Sequence, residues 1–239
     1  MPLPKIATPT YELELPSTGS SINYRPFLVK EEKVLVIALE SEDNKQITNA
    51  IKAVLKNCIL SKSVKVETLP TFDIEYLFLN IRGKSVGEDL EVNIICPDDN
   101  KTQVPVTISL DEIEVQKDDN HTNKIKVDDS IMMEMKYPSL DQFIKNNFDF
   151  GEEDNMEKSF DLIGHCIDKI YSEEEVWAAA DCTKKEIKDF LEQMNSKQFK
   201  EIEAFFETMP KLSHTLKITN PNTKVKSEVV LEGLSSFFA

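Results

Sequence analysis

Residues 9–41, PTYELELPSTGSSINYRPFLVKEEKVLVIALES, carry the pattern that decides the fold. Tyr11, Leu13 and Leu15 alternate with Glu12 and Glu14, the period of a strand covered on one face. Pro16, Ser17, Thr18 and Gly19 form a turn, and a second strand runs through Ile22 and Tyr24. Glu31 and Glu32 then precede the apolar run Val34 to Leu39. Acids there suit the positive end of a helix dipole, so a hairpin feeding a buried helix is expected.

Working outward, Ile47, Ala50, Ile51, Val54, Leu55 and Cys58 recur at three- and four-residue steps and predict a second helix with one apolar stripe. Thr71 is placed to cap a third, with Gly83 just past its end. The period then returns to two. Leu90, Val92 and Ile94 lead through a Pro97-Asp98-Asp99-Asn100 turn to Val104, Val106, Ile108 and Leu110. Two further strands, Lys124 to Val127 and Ile131 to Tyr137, flank Asp128 and Asp129.

A helical region follows. Ser139 with Gln142 reads as a capping box, and residues 151–155 read as an acidic surface loop. Phe160, Ile163, Ile167 and Ile170 share a face of one helix. Thr183 with Glu186 caps another, and Ser196 caps a last one with Phe199, Ile202, Phe205, Phe206 and Met209 on its inner face. Pro210 stops it. Leu216, Ile218, the turn Asn220-Pro221-Asn222-Thr223 and Val225 to Leu231 make a closing hairpin. The pattern is α+β, helical blocks with three β-hairpins (N-terminal, central and C-terminal). Its segments are 1–86, the first hairpin plus helices; 87–137, a β-rich stretch; 138–211, helical; and 212–239, the last hairpin and a docking tail. They are expected to form one integrated structure.

Forty-three acids against 28 bases give a net charge of −15, which disfavours a nucleic-acid partner. No apolar run approaches the roughly 18 residues that span a bilayer, so no membrane partner is expected. The start, MPLPKIATPTYE, lacks a signal-peptide pattern, and a cytosolic address is expected. Cys58, Cys96, Cys166 and Cys182 show no CxxC spacing, and reduced, packed thiols are expected rather than disulfides.

Catalytic chemistry finds little support. His165 and Cys166 are neighbours, but adjacent side chains on a helix diverge by about 100° and do not pair. Glu173, Glu174 and Glu175 read as a solvated run. With six glycines the chain has neither phosphate-binding loop pattern, and no small-molecule substrate or cofactor is expected. The turn Cys96-Pro97-Asp98-Asp99 has the place of a zinc knuckle but an Asp at its fourth position, and the last hairpin offers only His214 nearby, so no metal site is expected. The aromatic helix and the chain end supply the candidate partner-binding residues: Phe205, Met209, Leu234, Phe237 and Phe238.

The junction Tyr24-Arg25-Pro26-Phe27-Leu28-Val29-Lys30-Glu31-Glu32 resembles the baseplate hub proteins of T-even-like contractile-tailed bacteriophages. So do the strings TYELELPSTG, LPTFDIEYLFLNIRGKSVGE, KYPSLDQF, SKQFKEIEAFFETMPKLSH and VLEGLSSFF. The resemblance runs through nearly the whole chain and rests on structural rather than catalytic strings. It implies a non-enzymatic protein made late in infection in the host cytoplasm, with other hub proteins and the tape-measure protein as partners. A permanent structural subunit and a transient chaperone-like assembly factor are both compatible with it. A hydrolase with an unrecognised site is a distant third. It also implies cysteine-bearing hairpin turns in some relatives, a feature these turns lack.

Leu234, Phe237 and Phe238 recur at helical steps, and burying two Phe side chains is worth roughly 3 to 6 kcal/mol. The tail 233–239 is therefore expected to dock. If its groove lies in this chain, deleting residues 234–239 lowers the melting temperature. If the groove lies on a partner, melting holds and hub incorporation is lost. Normal melting together with normal particle assembly would show that the tail does neither.

Overall fold

The structure, a computed structural model, describes residues 3–4, 6–41, 43–139, 142 and 156–233. The chain divides into two compact units, residues 1–116 with 211–239, and residues 117–210. The mixed α+β class expected from the sequence is what forms.

Unit 1 opens with the hairpin β1 (Tyr11–Glu14) and β2 (Ser21–Tyr24), paired antiparallel from Tyr11↔Tyr24 to Glu14↔Ser21. The alternation expected for it is seen in burial, with Leu15, Ile22 and Tyr24 inside. Helices α1 (Val29–Glu40) and α2 (Asn44–Cys58) follow. Asp43 caps α2 by accepting from the N–H groups of Lys45 and Gln46. The chain leaving α2 lies beside β2, where Arg25 N–H donates to Cys58 O at 2.9 Å and Leu60 N–H to Asn23 O at 2.8 Å.

Helix α3 (Thr71–Val86) pins this hairpin. Asp73, fully buried, accepts hydrogen bonds from the backbone N–H of Ser17 at 3.0 Å and from the Ser17 hydroxyl, tying the hairpin turn to the first turn of α3. Two expectations here are corrected. Thr71 is the first residue of the helix rather than its cap, a position taken by Pro70. Gly83 lies inside α3, which ends instead at Gly87 with φ 128°. A Cβ at Gly83 would stand 2.8 Å from Leu110 Cδ1, so the glycine serves close packing.

The expected central hairpin forms from β3 (Asp89–Ile95) and β4 (Gln103–Ser109), with Val92 opposite Val106. Pro105 sits on β4, which pairs with β3 alone and can spare an N–H. Strands β5 (Glu114–Gln116), β10 (Lys211–Thr219) and β11 (Lys226–Glu232) form a sheet in the order β11-β10-β5. Leu79 of α3 joins Leu90, Val92, Ile108, Leu212 and Leu216 in one core.

The turns of the central and last hairpins meet. Each closes with an N–H donated to the carbonyl four residues back, Asn100 to Cys96 and Lys224 to Asn220, and each donor is left-handed (φ 52° and 64°). Asn220 is buried, and its amide donates to both Asp98 oxygens and to Asp99 Oδ2 at 3.0–3.1 Å. Thr223 donates its hydroxyl to Asp98, and Asn222 donates to Thr102 Oγ1 at 3.0 Å. A neutral and acidic hydrogen-bond net thus ties the two turns together.

Unit 2 is a four-stranded antiparallel sheet with helices. Its strands β6 (Lys124–Lys126), β7 (Met132–Met135), β8 (Ile167–Tyr171) and β9 (Val176–Ala178) lie in sequence order. Helix α4 (Met156–Cys166) runs directly into β8. This corrects the single helix expected through Ile170. The physical reason is a bulge: Glu134 pairs with Lys169 but Met135 with Ile167, leaving Asp168 as the extra residue. The bulge puts Ile167 and Ile170 on one buried face despite their odd spacing, which therefore imitates a helix. Helices α5 (Lys184–Glu192) and α6 (Ser196–Thr208) complete the unit. Thr183 caps α5 with Glu186 as expected, whereas Asn195, one residue before Ser196, caps α6. Ser139 N–H donates to Gln142 Oε1 at 2.8 Å, the contact expected of that capping box; the acidic loop expected at 151–155 lies outside the described residues.

Met133, Met135, Ile167, Leu162, Ile202 and Phe206 meet in the core of unit 2. His121 closes one end of it. Thr208 donates its hydroxyl to Ala204 O at 2.6 Å, so His121 Nδ1–H donates to Thr208 Oγ1 (2.9 Å) and Nε2 accepts from the Tyr137 hydroxyl (3.0 Å). Burial lowers its pKa below the ordinary histidine value.

Two outcomes follow. Removing the carboxylate in Asp73→Ala leaves the half-buried N–H and hydroxyl of Ser17 without this acceptor, and should cost about 1–3 kcal/mol in urea unfolding. A loss under about 0.5 kcal/mol would show that the turn does not depend on it. Asp99 is held far below the usual carboxylate range, first by the Thr102 hydroxyl, then by the N–H groups of Thr102 and Lys101 and by Asn220. A depressed carboxylate contributes in full above its unfolded value near 4 and less as pH falls below it. Asp99→Asn should accordingly flatten the decline of stability below about pH 4, and an unchanged pH slope would refute the assignment.

Candidate functional site

Helix α1 has the wrong side out. The expectation from the sequence was a buried helix, yet only Glu31 and Ala38 are buried on it, with Leu35 half-buried. These three stand at i, i+4 and i+7 and form the stripe by which α1 rests on its own unit. The aliphatic residues at the remaining angles face solvent: Val29 and Ile37 are each 66% exposed, and Val34, Val36 and Leu39 are between 45% and 49%. Val29, Val36 and Ile37 lie at i, i+7 and i+8 and share one outer side.

The residues before α1 explain how it is held this way. Glu31 reaches back, its carboxylate accepting from Leu28 N–H at 2.9 Å and pairing with Arg25 Nη2 at 3.0 Å. Burial by itself would raise the Glu31 pKa, but the hydrogen bonds from Arg25 and Leu28 outweigh it and hold the carboxyl low. Arg25 Nη1 donates to Pro26 O at 2.8 Å, and Phe27 N–H donates to Ser85 Oγ of α3 at 2.9 Å. The Tyr24–Glu32 junction is therefore a bracket. It spends the inward face of α1 on a carboxylate and an alanine and leaves its valines and isoleucine outside.

A helix that leaves five aliphatic side chains in water, interspersed with Lys30, Glu32, Lys33 and Glu40, has the chemistry of a protein contact. The six consecutive aliphatics from Val34 to Leu39 were the available signal, since six in a row point all round a helix and one core cannot cover them. Among the residues singled out from sequence, Phe205 is 2% exposed, stacks on Tyr137 with centroids 5.7 Å apart and lies tilted against His121 at 5.2 Å. Met209 is half-buried against the same core. Leu234, Phe237 and Phe238 lie outside the described residues. Phe205 and Met209 belong to unit 2, and α1 to unit 1.

The residues weighed for catalysis are apart from one another in role. Cys166 is buried, and burial pushes its thiol up to about 12, while His165 is exposed with Nδ1 on Asp161 O at 2.5 Å. Glu174 and Glu175 belong to the β8–β9 turn, their N–H groups donating to Ser172 Oγ. Cys58 is buried with its thiol pushed up to about 11 by the same cause. Cys96 is buried too, and burial, then Asp98 and Asp99, raise its pKa. His214 turns to Glu112 O at 3.1 Å rather than toward the 220–223 turn. Among the described residues no group of three or more His, Cys, Asp or Glu side chains is placed to hold a metal ion, and no helix is long and apolar enough to cross a membrane.

A family model described as T4 bacteriophage base plate protein matches residues 8–239. No curated protein and no solved structure matches the chain. The matched span takes in the hairpin, the Tyr24–Glu32 bracket, the exposed helix and both tied hairpin turns, and the chain belongs to the family of T4 bacteriophage base plate proteins.

Proposed function

We propose that this chain is a non-enzymatic structural subunit of the baseplate hub, joined to its neighbours through the outward face of α1. The carrying observation is that face: two aliphatic side chains at 66% exposure and three more near half exposure on a single helix. Leaving them in water forgoes roughly 25 cal/mol for each Å² of apolar surface, a loss that assembly recovers. The −15 charge fits the reading, because free acidic subunits repel one another and remain dispersed until a specific surface joins them. Other hub proteins and the tape-measure protein are the proposed partners, met in the host cytoplasm, with the docking tail at 234–239 as a second contact.

Quantitative mass spectrometry of purified particles tests the structural role. A fixed copy number per tail supports it. Presence in infected-cell extract with absence from particles would replace it with a transient, chaperone-like assembly factor using the same surface.

The surface itself is tested by Val29→Glu with Ile37→Glu. Both positions are exposed, so stability should stay within about 0.5 kcal/mol of the parent per substitution. Incorporation into baseplates should fall severely, read by complementation and by pull-down of tail intermediates. Normal incorporation of the stable double variant would rule out α1 as the contact.

A further inference from the structure

Unit 2 contains an open cleft of about 630 Å³ that the α1 surface does not involve. Its floor is apolar, formed by Phe160 of α4, Ile167 at the start of β8, Ala179, Ala180 and Ile187 of α5. Gly164 lines one wall, where an added Cβ would come within 3.1 Å of Ile187 Cγ2 and narrow the opening. The rim is cationic: Lys136, Lys184, Lys185 and Lys188 are all exposed, with His165 beside them. Asp161 is the sole carboxylate among the described lining residues. In a chain with 43 acids and 28 bases this reverses the prevailing balance.

Local helix stability does not account for the lysines. Lys184 and Lys185 occupy the first turn of α5, the positive end of the helix dipole, where acids are favoured and bases are unfavourable. The cap there is closed internally, Thr183 N–H donating to Glu186 Oε2 at 2.7 Å and Glu186 N–H to Thr183 Oγ1 at 3.3 Å. Glu186 offsets one of the two lysine charges, so the end keeps a net positive charge, and the lysine side chains, rather than the capped backbone, are what it presents to a ligand.

We propose that this cleft binds an acidic peptide segment of a partner protein, an aliphatic or aromatic side chain resting on the floor and flanking carboxylates meeting the lysine rim. Its volume lies within the roughly 300–1,000 Å³ typical of binding clefts. Charge complementarity chooses the partner: in a chain of net charge −15, the described lining of this cleft carries four lysines against one carboxylate, which attracts an acidic segment. A nucleic acid fits less well. Its phosphates gain nothing from an apolar floor, and the chain as a whole carries a −15 charge.

The test uses the full chain and a short dye-labelled peptide rich in glutamate with a central Phe-Leu pair, followed by fluorescence anisotropy. Saturable binding is expected. It should weaken roughly tenfold or more in Lys184→Glu with Lys185→Glu, and similarly when the peptide glutamates become glutamine. Because glutamate at those positions suits the α5 dipole, the melting temperature of the variant should hold or rise, separating lost binding from lost folding. Absence of saturable binding, equal affinity of the variant, equal affinity of the glutamine peptide, or equally tight binding of a single-stranded oligonucleotide would each overturn the proposal.

Discussion

Unit 1 depends on the pairing of β5 with β10. Lys211 lies opposite Gln116, Leu212 opposite Val115 and Ser213 opposite Glu114, so the chain returns to its sheet at the residue beside the one where it left. Everything in unit 2 lies between those two residues in sequence. Closing so long a loop costs conformational entropy, though the cost grows only slowly with length. Burial of Ile113 and Leu212 beside the three pairs, together with the continuous β10–β11 ladder, offsets it. Because unit 2 has a core of its own, the intervening chain can order by local contacts instead of adding to that loss.

Around this frame the acidic composition serves as internal fastening. Asp73 ties the first turn to α3, Glu31 brackets the entry to α1, and Asp98 with Asp99 joins two hairpin turns through Asn220. Each carboxylate accepts from N–H or hydroxyl donors held by the fold, the arrangement in which a charged acceptor gives its strongest hydrogen bonds. The fastening at Glu31 also sets which side of α1 is exposed. With a carboxylate and an alanine taking the inward stripe, α1 keeps its valines and Ile37 outside. The proposed contact rests on that exposure.

Hairpins and capped helices were legible because their signals are local. Tyr11, Leu13 and Leu15 alternate over a few residues, and Thr183 needs only Glu186 to cap its helix. The readings that failed depended on distant residues. Gly83 resembles a helix stop until Leu110 is seen against it. Ile167 and Ile170 resemble a helical stripe until Met133 and Met135 fix a bulged register. Asn195 and Ser196 are both competent caps, and the sequence alone does not rank them by one position.

The sequence by itself determined the α+β class, the places of the hairpins, the family resemblance and the lack of paired metal-binding cysteines, since each rests on residue type and short spacing. Tertiary structure alone decided which apolar residues of α1 are inside. Periodicity marks a helix as apolar, but only the partners packed on it say which angles are covered. For α1 those partners are the Arg25–Glu31 bracket and the neighbouring helix, and they cover Glu31, Leu35 and Ala38 while leaving Val29, Val36 and Ile37 in water. The lysine-rimmed cleft was likewise beyond reach, because Lys136 and Lys184 are far apart in the chain and come to line one cleft only once α4 and α5 have packed.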